Sequence, residues 1–269
     1  MSDSNKEKFI YELINSFCDK VKEEVFFIIK KIPINLMEPH VHSVLSALLA
    51  RQGTLATELC RAVSAWNYHS APLFIRSMVD VHITIAWLME EPFDRCLKFV
   101  EYGLGQEKLQ IEHFKAKLIK EGKDPEENEQ IQALENNINA QKYTFLLPVE
   151  LGSWSGKSTR DMAIECGLQD VYNFSFLSFS RCVHSTWNHI SRFNSRPSDS
   201  ALHRYTFVAE MPEFTPDIHQ LDTVARRVDE TINLFQRYLS LPEDSQIIDK
   251  WLDAKLEELG KKYRSEESR

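Results

Sequence analysis

The sequence predicts an all-α fold, a helical bundle of about eight or nine helices, and three observations lead to it. Eight Gly and ten Pro among 269 residues supply too little turn chemistry for an all-β fold. Apolar residues make up 43% of the chain, which is enough for a sizeable core. In long stretches these residues recur at steps of three and four, which is the period of an amphipathic helix.

Five helices are predicted in the first part of the chain, with boundaries at prolines and glycines. The fifth is rich in Glu, Asn and Gln and carries a sparse apolar stripe, so it is expected to protrude as a hairpin partner of the fourth. The five helices run from about Phe9 to Ile32, Pro39 to Tyr68, Ala71 to Met89, Phe93 to Glu121 and Pro125 to Phe145.

Four more helices are predicted at about residues 158–166, 170–193, 215–241 and 245–263. Ser158 to Asp161 has the pattern of a helix cap. The connection over 194–216 contains one strand-like stretch, HRYTFVAE, and is expected to lie over the site. We therefore divide the chain into an N-terminal helix that packs on the bundle (1–38), a main helical domain (39–241), and a C-terminal helix with a frayed tail (242–269).

The net charge and the pattern of cysteines and histidines exclude several classes of function. A net charge of -8 argues against binding duplex DNA or a membrane surface, although a small basic groove remains compatible with it. The five cysteines are scattered and form no CxxC pair, so no disulfide framework is predicted. His40 with His42, and His203 with His219, lack Cys or carboxylate partners at ligand spacing, so no metal site is predicted. The chain begins without a signal-peptide pattern and has no long apolar run, so we expect a cytoplasmic protein.

The segment GSWSGKST, residues 152–159, superficially resembles a phosphate-binding loop. Three residues separate its two glycines where four are required, and no Val/Ile-rich strand precedes it, so nucleotide binding is rejected and no cofactor is predicted. Gly156 and Ser158 instead fit a turn and a helix cap, with Trp154 anchoring the loop in the core.

Arg76 and Asp80 lie four residues apart on the apolar stripe of the third helix. Charges on a core-facing stripe must be paired and hydrogen-bonded. One interpretation is an ion pair that fixes helix register, and the other is a phosphate clamp in which Asp80 holds Arg76.

A second polar group lies on the helix predicted over 170–193. Ser180, Arg181, His184 and Asn188 fall on one side, next to an aromatic face. A histidine held by neighbours at one-turn spacing can transfer protons near neutral pH. The alternative is a solvated helix face.

Three runs of sequence resemble an uncharacterised bacterial family known as a domain of unknown function, number 5677. They are the run from Ala71 to Tyr102, WSGKSTRDMAIECG, and the helix from Tyr172 to His184, and the resemblance covers about residues 40–240. Asp80 stands where the family pattern has Glu more often. The matching positions are Arg76, Trp154, Gly156, Ser158, Arg160, Ala163, Gly167, Tyr172, Ser180 and His184.

The helical layout is also similar to the HEPN proteins, a superfamily rich in dimeric, metal-independent ribonucleases of toxin and phage-defence systems. Their Arg, four to six residues, His pattern is matched by Arg76 and His82, although Ser77 is unusual after the arginine. The resemblance implies that His184 or His82 is the acid-base group and Arg76 the phosphate clamp.

The sequence therefore predicts a site formed by Arg76, Asp80, Ser180, Arg181 and His184 where two central helices meet. The predicted function is a metal-independent endoribonuclease of a bacterial defence or toxin system, with RNA as substrate, a homodimeric state and a protein partner from the same operon. The alternative is a non-catalytic interaction or sensor protein whose polar cluster is structural. A catalytic site requires Arg76 and His184 side by side in an open groove, whereas a structural pin requires them to be sealed.

Overall fold

The computed structural model describes residues 3–145, 155–202, 207–243 and 246–267, and this part of the chain is helical apart from one small hairpin. The all-α prediction is confirmed. Strands β1 (Ser195–Pro197) and β2 (Phe207–Ala209) pair antiparallel, with Arg196 opposite Val208. The helices are α1 (Asp3–Ile29), α2 (Pro39–Arg61), α3 (Ala71–Glu90), α4 (Pro92–Lys120), α5 (Glu129–Phe145), α6 (Thr159–Glu165), α7 (Gln169–Val171), α8 (Leu177–Val183), α9 (Trp187–Phe193), α10 (Gln220–Tyr238) and α11 (Ile247–Glu267).

Helix α3 forms the centre of the bundle and packs against α2, α6, α8 and α10. Its apolar residues Ile75, Met78, Val79 and Ile83 are buried, as their helical spacing predicts. The stripe predicted to carry Arg76 and Asp80 is only partly buried, since Asp80 is half-exposed. The helix is long and apolar enough to cross a membrane, but 61% of its most apolar window is buried inside the fold. Such burial is typical of the core helix of a soluble protein.

The first and last helices belong to the same core. Phe9 of α1 meets Tyr263 of α11 edge-on, and Phe17 packs against Trp251 with ring centroids 6.4 Å apart. The Tyr263 hydroxyl also donates a hydrogen bond to Glu12 at 3.0 Å. The predicted homodimer was based on apolar faces of these two helices, and the residues named here use part of those faces within the chain.

Helices α4 and α5 form the predicted hairpin beside the main core. They share a second apolar cluster, so α5 is stabilised by α4. The buried members of this cluster are Leu104, Ile111, Leu118, Ile131 and Ile138.

Helix α2 ends at Arg61, so its predicted extension to Tyr68 is wrong. The chain turns here because the Trp66 indole is buried and donates to the Leu59 carbonyl at 2.9 Å. The Asn67 side-chain oxygen then accepts hydrogen bonds from the backbone amides of His69 and Ser70, directly before α3 begins.

Candidate functional site

Arg76 joins α3 to α8. Its Nε donates to the Ser180 hydroxyl at 2.8 Å, and its Nη1 lies 3.5 Å from an Asp80 carboxylate oxygen. The Ser180 hydroxyl donates in turn to the Phe176 carbonyl at 2.6 Å. We call Arg76, Asp80 and Ser180 the arginine pin. The structure thus brings together three of the five residues that the sequence predicts for the site.

The guanidinium of the pin lies over an aromatic ring. Its central carbon is 3.1 Å from the centroid of the Phe176 ring, which itself stacks on Tyr172 at 4.7 Å. Only 14% of the Arg76 side chain is exposed, whereas Asp80 is 48% exposed. Burial lowers the pKa of Arg76, and the nearby Asp80 carboxylate opposes this effect. Arg76 therefore has a structural environment, in which Nε, Nη1 and one face of the guanidinium are engaged.

Arg181 and His184 lie outside the pin. Both are exposed, and among the described residues no hydrogen bond or ion pair joins either side chain to Arg76. Their catalytic role stays a prediction. His184 is the C-cap of α8, and its backbone amide donates to the Ser180 carbonyl at 2.9 Å.

The helix predicted over 170–193 is wrong as a continuous element. A π-helical turn occupies Tyr172–Phe176, and the chain breaks again after α8. There Ser185 has φ 48°, and the Thr186 amide donates back to the Arg181 carbonyl at 3.1 Å. This is a Schellman end in which serine takes the left-handed position usually filled by glycine. The break changes the direction of the chain between α8 and α9.

His82 does not serve the same site. Its ring is buried, and Nδ1 lies 3.1 Å from the Thr231 hydroxyl of α10. Burial is the main cause that lowers its pKa to about 4, and the charges of Arg227 and Arg237 act in the same direction. The side-chain amide of Gln52 donates to the same hydroxyl at 3.0 Å. His82 therefore belongs to a structural network between α2, α3 and α10.

A cleft of about 330 Å³ opens on the other side of α8. We call it the arginine cleft. Its polar lining includes Arg181, Arg192, Asn188 and His189, of which only His189 is buried. Arg181 is thus the member of the predicted set that faces a cavity. The remaining lining residues are Tyr68, Pro72, Ser178, Phe179, Cys182 and Phe193.

His189, which lines the arginine cleft, forms a pair with His69, which does not line it. Nε2 of His189 lies 3.0 Å from Nδ1 of His69, and the rings stack with centroids 5.0 Å apart. Phe214, from the connection before α10, stacks on the other side of His69 at 5.1 Å. Burial and the neighbouring His69 lower the pKa of His189, so this ring is neutral near pH 7.

The pair of His69 and His189 was not predicted from the sequence, but one sequence feature marks its surroundings. Residues 171–198 contain three arginines and no Asp, Glu or Lys, although the whole chain carries a net charge of -8. We call this stretch the acid-free segment. His189 lies inside it, whereas His69 comes from the turn before α3. Their pairing depends on the break at Ser185, which the sequence pattern does not show.

The other sequence predictions near the site have mixed outcomes. Ser158 and Asp161 form the predicted capping box at the start of α6, and Gly156 has φ 64° in the preceding turn. Trp154 and His203 lie outside the described residues. Within the described ranges, no three His, Cys, Asp or Glu side chains lie close enough together to hold a metal ion.

Fold and site define an all-α protein in which a buried arginine pin adjoins an open arginine cleft. The chain belongs to the family of unknown function DUF5677, whose model matches residues 42–201, more than half of the 269 residues. The match contains both the arginine pin and the arginine cleft, and it ends before α10. Comparisons with curated proteins and with solved structures gave no match.

Proposed function

We propose that the protein is a metal-independent endoribonuclease that cleaves RNA in the arginine cleft. The observation that carries the proposal is His189, which is paired with His69 and lines a cavity beside Arg181 and Arg192. In the transfer of a phosphate ester, a neutral histidine can act as the general base, and neighbouring cations can stabilise the negative charge that develops on the phosphate.

The two arginines supply phosphate binding. Both are exposed, and no ion pair occupies either of them within the described part of the chain. A planar guanidinium forms two parallel hydrogen bonds to phosphate oxygens, and the Asn188 amide adds a neutral donor. The acid-free segment lowers competition from carboxylates, so an anion meets a locally positive wall.

The histidine pair supplies the proton transfer. When Nε2 of His189 donates to Nδ1 of His69, the other nitrogen of His189 carries a free electron pair and takes the proton of a ribose 2′-hydroxyl. The 2′ oxygen bonds to the adjacent phosphorus while the bond from phosphorus to the 5′ oxygen breaks. The 5′ oxygen takes a proton from water or, in the role that the sequence predicts, from His184. The products are a 2′,3′-cyclic phosphate and a 5′-hydroxyl.

The test is cleavage of a labelled RNA by the purified protein in the presence of a chelator. We expect His189→Asn to lower the rate by about 100-fold or more, and His184→Ala to lower it by a smaller factor. His113→Asn is the matched control, because this histidine is exposed on α4, away from the cleft. Intact RNA with the unaltered protein, or equal rates for His189→Asn and His113→Asn, would overturn the proposal.

The biological setting is part of the same proposal. We propose a HEPN-like protein of a bacterial defence or toxin system that acts in the cytoplasm, as a homodimer and with a protein partner from the same operon. Its expression in a bacterial host should then slow growth, and His189→Asn should relieve the effect. A single-chain mass by light scattering would rule out the homodimer.

A non-catalytic interaction protein is the second candidate, and the arginine pin favours it. Arg76 is engaged by Ser180, Asp80 and the Phe176 ring, as expected of a structural link rather than a clamp that awaits phosphate. In this case the arginine cleft binds an acidic partner without chemistry. RNA binding or cleavage would be absent, and Arg192→Ala would weaken only the protein complex.

A further inference from the structure

We infer that a groove between α2 and α4 binds a small apolar amine. We call it the hairpin groove, because α4 belongs to the α4–α5 hairpin and Gln141 of α5 also lines the groove. Its volume is about 360 Å³, within the range of roughly 300–1,000 Å³ that small-molecule pockets span. The inference goes beyond the ribonuclease proposal, because the hairpin groove and the arginine cleft share no lining residue.

The walls of the hairpin groove are apolar because two core-facing helix stripes form them. Val44 and Leu48 lie one turn apart on α2. Val100 and Leu104 lie one turn apart on α4. Val44 is buried in the main core and Leu104 in the second apolar cluster, while Val100 packs against both. The groove therefore lies where the hairpin meets the bundle, and a molecule bound there would contact both.

Two small residues keep the hairpin groove open. Ala47 of α2 and Gly103 of α4 line it, each beside larger apolar residues of its own stripe. A Cβ added to Gly103 would meet no atom within 4 Å outside its own stretch of helix, so packing within the chain gives no steric reason for glycine. Glycine also destabilises a helix interior relative to alanine. Space for a bound molecule supplies a reason for its presence.

A carboxylate at the hairpin groove selects the polar end of the ligand. Among the described lining residues only Glu107 is charged, and no hydrogen bond or ion pair within the described ranges engages it. Glu107 follows Gly103 by one helical turn, so it stands at one end of the open stretch. A protonated amine complements this charge, while a hydrocarbon body fits the apolar walls. An organic anion of the same size would be repelled.

The experiment is calorimetric titration of the full chain with phenylbutylamine and, as the matched anion, phenylbutyrate. We expect the amine to bind with a dissociation constant below about 1 mM, and the anion to bind about fivefold more weakly or not at all. Gly103→Leu places a side chain in the groove and should weaken amine binding by about tenfold or more. Glu107→Gln should weaken it by about threefold, since this carboxylate is exposed.

Two further variants of α4 are matched controls. Gln106→Leu adds the same side chain as Gly103→Leu, and Glu112→Gln removes the same charge as Glu107→Gln, both at exposed positions outside the groove lining. Both should bind the amine as the unaltered protein does.

Three results would overturn the inference. They are absent binding of the amine, equal affinity for amine and anion, and equal affinity of Gly103→Leu and Gln106→Leu for the amine. A dimer that Gly103→Leu converts into single chains, measured by light scattering, would mean that a second copy fills the groove, and this would overturn the inference as well.

Discussion

The Arg76 guanidinium and the Ser180 hydroxyl link α3 to α8 through a hydrogen bond of 2.8 Å. Because α3 is the centre of the bundle and α8 carries Arg181, this link fixes one wall of the arginine cleft relative to the core. The pin therefore acts on the site by positioning, while the cavity is faced by Arg181, the residue after Ser180, and by residues of α9.

Removal of the pin's acceptor should destabilise the protein. Ser180→Ala leaves the partly buried Nε of Arg76 without its partner, so we expect the free energy of unfolding to fall by about 1–2 kcal/mol in urea denaturation. Ser178→Ala, an exposed position on the same helix, should change it by less than about 0.5 kcal/mol. Equal effects of the two variants would mean that the pin carries no stability.

The left-handed backbone at Ser185 predicts a stabilising substitution. Serine is strained at φ 48°, and glycine is not, so Ser185→Gly should raise the free energy of unfolding by about 0.5–1 kcal/mol. Ser178→Gly, within regular helix, should lower it by about the same amount. A destabilising Ser185→Gly would contradict the Schellman end described for α8.

The buried His82 predicts a pH dependence of stability. Its pKa in the folded protein is about 4, against 6.5 for an exposed histidine, so below pH 6.5 the unfolded chain binds a proton that the folded chain does not. The free energy of unfolding should therefore fall as pH decreases from about 6.5 to about 4, by on the order of 3 kcal/mol from this residue. His82→Gln should remove that part of the decrease, whereas His113→Asn should keep it.

The lowered pKa of His189 predicts the acid limb of the activity profile. As a general base it must be neutral, and burial and His69 both disfavour its protonated form. The cleavage rate of RNA should thus stay high as the pH falls below 6.5, the ordinary pKa of histidine, and decrease only at more acidic pH. An acid limb centred above pH 6.5 would exclude His189 as the base.

The cleft arginines predict a salt dependence of RNA binding. Arg192→Ala removes one phosphate contact, so the slope of log affinity against log salt concentration should decrease by about 0.7 for a single strand. Arg51→Ala changes the net charge equally at an exposed site on α2 and should leave the slope unaltered. Parallel slopes for Arg192→Ala and the unaltered protein would remove this arginine from the binding site.

Helical periodicity predicted the order of the helices well, because each apolar stripe is a local property of its own segment. It failed at Ser185, where a non-glycine residue adopts the left-handed conformation, and at Arg61, where the burial of Trp66 ends α2. Both failures come from contacts made only in the folded chain.

The site was predicted in part for the same reason. Arg76, Asp80 and Ser180 were recognisable because charged or hydroxyl groups interrupt apolar faces at helical spacing. The pair of His69 and His189 joins residues 120 positions apart, and no local pattern reports such a contact.

The most direct measurement uses an oligonucleotide with a single 2′-hydroxyl among 2′-O-methyl riboses, in the presence of a chelator. We expect one cut, directly after the ribose that carries the hydroxyl, with a 2′,3′-cyclic phosphate on one product. His189→Asn should slow the cleavage by about 100-fold or more. Cuts at 2′-O-methyl positions, or an unchanged rate in His189→Asn, would contradict the proposed mechanism.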